Sequence, residues 1–409
     1  MGARPSGRAG GVVLAARRPG DEGLELCEDS EAEEDEGKGR REEMAQPRIS
    51  GFQFVTLAFW YTVGTSTLLL PANYGRQDTW LSILIAAAAA LLALVVWFSL
   101  GGRFPGKTPF GYAKDIFGPV FGTLIGVVYL LYFTHLSSLV LRNVTEMYAT
   151  SILTRTPPVV FVGTMALLSA WIVRAGLEPL ARTGELLVPF LGIGMPVLIA
   201  LAFATPGLTH FEFLLPVLER GMTPVLRQAL CLLAFPFGEL VVFLFIAPAT
   251  AHPERAGRLL AVAVVAGAAA LVFVFIRNLV TVGPNELVRL SFPSLTTIRE
   301  IMLGQFLQRI EVLGILQWTA GSFVKLALTH YAAVLGAVEV FSLEDPRPVA
   351  VPLAFLISVL CIAGYNNLPE MVEFAARAFP IYASVVQIVL PLVMLVASWL
   401  RGRTAKQGT

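Results

Sequence analysis

The chain has 409 residues, is 56% hydrophobic and carries only 14% charged residues, too apolar for an ordinary soluble domain of this length. A formal net charge of +1 offers no basic field for nucleic acid, and neither phosphate-cradling nor zinc-ligand spacing occurs. Cys27, Cys231 and Cys361 are odd in number and scattered, which provides no disulfide framework and no redox motif and leaves them as small apolar fillers.

In chain order, residues 1–47 come first, Gly- and Arg-rich and then acidic ("EDSEAEEDEGKGRREE"), with almost nothing apolar to bury. They are expected to be a disordered extension without the apolar core of a signal peptide. Met44, followed directly by "AQPRIS", is an alternative start. Residues 48–401 are expected to form an all-α polytopic domain of ten transmembrane helices, with 402–409 as a cytoplasmic tail. Apolar runs recur at about the 20 residues a helix needs to cross about 30 Å of hydrocarbon, and the alternation of a β-barrel is absent. The spans centre near Trp60, Ala90, Val128, Ala166, Gly194, Phe237, Val272, Val324, Leu356 and Val389. Loops after even-numbered spans and the termini hold Arg103, Lys107, Lys114, Arg174, Arg182, Arg255, Arg258, Arg347, Arg401 and Arg403. By the positive-inside rule both termini are cytoplasmic, although the opposite loops also carry Arg76, Arg155 and Arg220. The stretch from Asn285 to Gln308 is too interrupted to span, and reads as an outer loop with an interfacial or re-entrant helix.

Two spans carry breaks. In span 1, "WYTVGTSTLLLP" places Gly64, Thr65 and Ser66 at mid-membrane and Pro71 near the outer end; in span 6, "AFPFGELV" places Pro236, Gly238 and Glu239 there. Proline lacks an N–H and clashes with the carbonyl four residues back, so Pro236 should free the carbonyl of Leu232. Gly238 is expected to supply conformations that larger residues resist. Irregular backbone at this depth survives only where it is buried in protein or lines a wet cavity. Ten spans dividing five and five make spans 1 and 6 equivalent and the repeat inverted, the pattern that marks a transporter substrate site. The competing reading makes Gly64 and Gly238 packing contacts and Pro236 a kink, but it leaves the acid unexplained.

An ionisable residue at the bilayer centre is costly and marks function by default. Glu239 can accept a ligand ammonium, carry a proton, or accept hydrogen bonds from N–H groups freed by the break. Lys325, mid-span 8, shares a face with Gly314, Gln317, Gly321 and Thr329. Its ammonium either occupies the place of a coupling sodium ion, making the protein sodium-independent, or forms a structural ion pair or carbonyl contact. In span 3, Arg142 and Glu146 are spaced as an ion pair, and His135 is a further candidate for proton or ion coupling. Glu178 and Arg182 have the same spacing in a cytoplasmic loop, as a latch or docking point. His135, His210, His252 and His330 lie in different loops and spans, so no catalytic triad converges. No catalytic residue, metal or cofactor is expected, and the chain is not expected to be an enzyme.

"ISGFQF" before a first span with "GT", "GLEPLARTGE" (Gly176 to Glu185), "AFPFGEL" and "SFPSLTTIREIMLGQFLQRIEVLGILQW" together resemble the B subunit of nutrient germinant receptors. These are spore germination permeases of the amino acid–polyamine–organocation superfamily. The resemblance implies a LeuT-like 5+5 inverted repeat in the inner membrane of a bacterial endospore. It also implies a small-molecule nutrient, expected to be an amino acid, and a complex with A-type and C-type subunits. Carried onto this chain, Gly64, Thr65 and Ser66 would offer N–H groups to a ligand carboxylate. Phe235, Phe237 and Gly238 would shape the pocket beside Glu239. The acidic extension over 1–43 is a departure from the family. A proton-coupled amino acid permease and a ligand-free scaffold remain as alternative functions.

Overall fold

The computed structural model describes residues 49–70, 72–301 and 309–402; the expected disordered extension, Pro71 and the tail from residue 403 lie outside them. Among the described residues, seven helices are long and apolar enough to cross a bilayer: Arg76–Arg103, Pro119–Ile152, Pro158–Ala175, Met222–Ala249, Pro253–Arg289, Glu311–Phe341 and Phe379–Leu400. They correspond to spans 2, 3, 4, 6, 7, 8 and 10. Span 9 is Arg347–Ala363, continued by Leu368–Arg377 after a bend of 103°. The other two expected spans are interrupted. Span 1 is the helix Gly51–Val63 followed by turns over residues 64–69, and span 5 is built from Leu177–Leu187, Val188–Gly192 and Gly194–Ala204. All ten expected centres fall on these helices.

Local chemistry sets several of the ends. Ser50 accepts from the Gln53 N–H at 3.1 Å while Gln53 Oε1 accepts from the Ser50 N–H at 3.0 Å, a capping box that starts span 1 inside "ISGFQF". Gly176, with φ 103°, stops span 4 in a conformation that strains any residue with a β-carbon, and the next helix starts at Leu177.

The main core joins spans 1, 2, 3, 6, 7 and 8 through Phe54, Trp97, Phe133, Phe243, Leu271 and Val324. Span 6 is the most enclosed, with Phe237, Leu240, Val241, Val242 and Phe243 all fully buried. The inner ends of spans 1 and 6 are clasped: the Ile49 N–H donates to Ala249 O at 3.0 Å and the Ala251 N–H to Ile49 O at 2.9 Å. Phe54 packs edge-to-face on Phe243 just above this clasp. A second core near the outer ends contains Leu68, Met147, Leu198, Leu295, Ile298 and Trp318. Two of these belong to the short helix Pro293–Arg299, whose apolar face is thus buried in protein instead of lying in the bilayer interface. Residues 302–308 of that expected loop lie outside the described residues.

Candidate ligand site between the broken spans

Span 1 breaks where its backbone meets span 8. The Gly64 N–H still reaches Trp60 O at 2.8 Å and the Thr67 N–H reaches Val63 O at 3.1 Å, but among the described residues no carbonyl accepts from the N–H of Thr65 or Ser66. A β-carbon on Gly64 would stand 2.5 Å from the carbonyl carbon of Gly321. The packing reading of Gly64 therefore holds alongside the break. Glycine lets two backbones touch, and the two N–H groups beyond it are left for another acceptor.

In span 6 the irregular residue is Phe235, at φ −138° and ψ 116°, because a following proline ring disfavours the helical region for the residue before it. Gly238 has ordinary helical angles of φ −69° and ψ −25°, so the expected conformational reason for it is corrected. Its value is space, since a β-carbon there would run into the Gln387 amide oxygen. Gln387 Nε2 donates to Ala234 O at 3.0 Å and to the Tyr132 hydroxyl at 2.7 Å, so span 10 supplies a donor to the broken backbone.

Lys325 joins the two breaks. It forms an ion pair with Glu239, the two side chains being 0% and 1% exposed. Its ammonium also donates to Thr65 Oγ1 at 3.3 Å and lies over the rings of Phe235 at 4.5 Å and Tyr61 at 5.0 Å. Of the readings open for Lys325, the structure builds the ion pair. The expected stripe of Gly314, Gln317, Gly321, Lys325 and Thr329 is buried throughout, and Ser137 of span 3 donates to Thr329 Oγ1 at 2.8 Å. The hydroxyls of Tyr61, Ser66 and Ser322 are buried beside this centre with no hydrogen-bond partner among the described residues.

A cavity of about 250 Å³ reaches this point from the side that the charge pattern makes outer. Phe235 and Glu239 line it, together with Asn143, Gln228, Cys231 and Met371. The helix Leu368–Arg377 forms one wall. Phe237 does not line it as expected: it is fully buried in the main core. Gly64, Thr65, Ser66 and Gly238 are also set back from it. His135 stands apart from the ion pair, 2.7 Å from the Tyr382 hydroxyl. Arg142 and Glu146 pair at 2.7 Å as their spacing implies, and so do Arg182 and Glu178 at 2.5 Å. Two groups outside the expected set matter here, Gln387 and the buried Arg277 of span 7. Arg277 carried the same signal as Lys325, a charge inside an apolar run. Gln387 is a neutral amide and has no comparable signal.

A family model described as "Spore germination protein" matches residues 48–368. Spore germination protein KB of Bacillus subtilis (strain 168) is 29% identical over 370 residues, covering 89% of this chain and 98% of that protein. Spore germination protein YndE of the same organism is 26% identical over 374 residues, covering 88% and 98%. Among solved structures, MhsT in complex with L-phenylalanine superposes with a TM-score of 0.65 at 15% identity, over 88% of this chain and 91% of that one. Mhp1, a nucleobase-cation-symport-1 family transporter in a closed conformation with bromovinylhydantoin bound, gives 0.60 at 15%, over 87% and 79%. These likenesses place the chain in the LeuT-like fold that the family resemblance implied. With a match that runs through both broken spans and over most of its length, this multi-pass membrane protein belongs to the spore germination protein family.

Proposed function

We propose that the chain is the nutrient-binding subunit of a spore germinant receptor in the inner membrane of the endospore, acting through A-type and C-type partner subunits. The observation that carries this reading is the cavity of about 250 Å³ that ends on Phe235 and Glu239. It lies below the roughly 300–1,000 Å³ typical of drug-sized ligands, which suits an amino acid or similar small metabolite. The likeness to a structure holding L-phenylalanine supports the same class. Glu239 would meet the ligand ammonium, with Lys325 moving off the carboxylate as the ammonium arrives; the N–H groups of Thr65 and Ser66, set back from the cavity beside Lys325, would meet the ligand carboxylate once Lys325 has moved. Such an exchange keeps the buried charge balanced in both states, and gives the ligand the differential affinity that a population shift requires. The Lys325 ammonium beside Thr65 also supplies the positive charge of a coupling cation, so the response is proposed to be sodium-independent.

The test is thermal stabilisation of the purified protein across amino acids, sugars and nucleosides, in sodium and in choline buffers. A stabilising amino acid whose effect is lost in Glu239→Gln and unchanged in choline supports the reading; no stabilisation by any nutrient favours a scaffold. The buried ion pair at the end of an open cavity also suits a proton-coupled amino acid permease. Proton-driven uptake into vesicles that requires Glu239 would establish that second reading.

A further inference from the structure

The helix Leu368–Arg377 is a separately built wall of the cavity. Span 9 is held at its end by Arg142, whose Nη1 donates to Cys361 O at 2.9 Å. The chain then turns by 103°, and the new helix starts on its own cap, Asn367 Oδ1 accepting from the Glu370 N–H at 2.9 Å. Its residues divide by the helical period. Leu368, Met371, Val372 and Ala375 line the cavity. On the opposite side Glu373 and Arg377 pair at 2.9 Å, both well exposed. Phe374 packs edge-to-face on His135 of span 3, with ring centroids 5.7 Å apart, and Cys231 Sγ of span 6 lies 3.7 Å from Ala376 O. The wall is thus seated against both spans that lead to Glu239.

The lining changes with depth. Span 3 runs outward and span 6 inward, so Asn143 and Gln228 stand nearer the mouth, and Leu136, Leu139, Phe235 and Glu239 nearer the floor. The Phe374–His135 contact brings Ala375 toward the level of Leu136. The carboxylate of Glu239 therefore has apolar side chains on either hand, from span 3 and from the wall helix.

We propose that Met371, Val372 and Ala375 select the nutrient by receiving its side chain against Leu136 and Leu139, and that this nutrient is an amino acid with an apolar side chain. The inference rests on the nutrient-binding reading above. A hydroxyl or amide carried to that level gives up its water without gaining a partner. In a pocket of this kind an isostere with an added hydroxyl binds roughly a hundredfold more weakly, and one methylene is worth roughly 10–200-fold. Val372 and Ala375 are exposed where they face the cavity, so the room they leave sets the length of side chain admitted.

The experiment follows the thermal midpoint of the purified full chain against alanine, valine, threonine, leucine, asparagine and phenylalanine. Valine should half-saturate roughly a hundredfold below threonine, and leucine well below asparagine. Ala375→Leu should move the preference toward smaller side chains and Val372→Ala toward larger ones, each by roughly tenfold, opposite shifts that a merely structural role would not produce. Neither position is packed in the core, so both variants should accumulate; if one does not, the valine–threonine comparison in the unaltered protein still decides. Threonine equal to valine, one order of preference in both variants, or stabilisation by sugars or nucleosides alone would overturn the inference and leave the receptor reading standing. Stabilisation by no nutrient at all would remove that reading, and this inference with it.

Discussion

Glu239 and Lys325 should behave as one unit, and their energetics can be worked from the contacts. Glu239→Gln or Lys325→Met alone leaves an uncompensated charge in a fully buried site, at a cost of about 3–5 kcal/mol. The two variants should not be equal. In Glu239→Gln the ammonium keeps Thr65 Oγ1 and the faces of Phe235 and Tyr61, and desolvated cation–π contacts of this kind are worth about 2 kcal/mol. Lys325→Met takes from the carboxylate its only ion-pair partner among the described residues, so it should be the more damaging change. The double variant leaves no charge behind, and replacement of a buried pair by neutral groups is often close to neutral. It should recover most of the loss, with a coupling of about 3 kcal/mol. Thermal midpoints of purified protein at one fixed scan rate, with accumulation in the membrane, read this out. A double variant as unstable as the sum of the two singles would refute the reasoning, because it would mean that the two charges do not compensate each other.

Gly64→Ala should be strongly damaging, because the atoms its β-carbon meets are Gly321 backbone at 2.5 and 2.6 Å that no rotamer change can clear. Overpacking of this kind costs about 1–3 kcal/mol, and the midpoint should fall together with any nutrient response. Gly238→Ala should also destabilise, but by pushing on the Gln387 amide. In a Gln387→Ala background, itself weakened by loss of the bonds to Ala234 and Tyr132, the added methyl should cost less, the remaining cost coming from the Leu233 carbonyl oxygen 2.8 Å away; equal effects in both backgrounds would disprove the Gln387 contact. Cys231 lines the outer cavity, whereas Cys361 is 1% exposed in a separate cluster. With Cys27→Ser, a small thiol reagent should modify Cys231 and spare Cys361, and a stabilising nutrient should slow that modification. Labelling that no stabilising ligand slows would place the ligand elsewhere.

Much of the architecture was already legible in the chain, because a bilayer imposes a one-dimensional rule: apolar runs of fixed length must be helices. That rule located all ten helical centres. The breaks were legible for a related reason, since Pro236 and the Gly64–Ser66 stretch violate helix chemistry whatever surrounds them. Spacing alone also foretold the Arg142–Glu146 and Glu178–Arg182 pairs and the buried stripe of span 8, because the helical period fixes which residues are neighbours.

What the tertiary structure decided were the relations between segments far apart in sequence. Nothing in either local pattern says that Lys325 of span 8 lands on Glu239 of span 6, or that Gly64 faces Gly321. The division of labour among "FPFGE" was equally hidden: Phe235 bends and lines the cavity, Phe237 fills the core, and Gly238 makes room for a side chain from span 10 that no local signal marked. Sequence determined which residues hydrocarbon would not tolerate without a reason. Only packing decided the reason, because the partner that satisfies a buried charge or a broken backbone is set by distances between helices, and those depend on every side chain in the bundle.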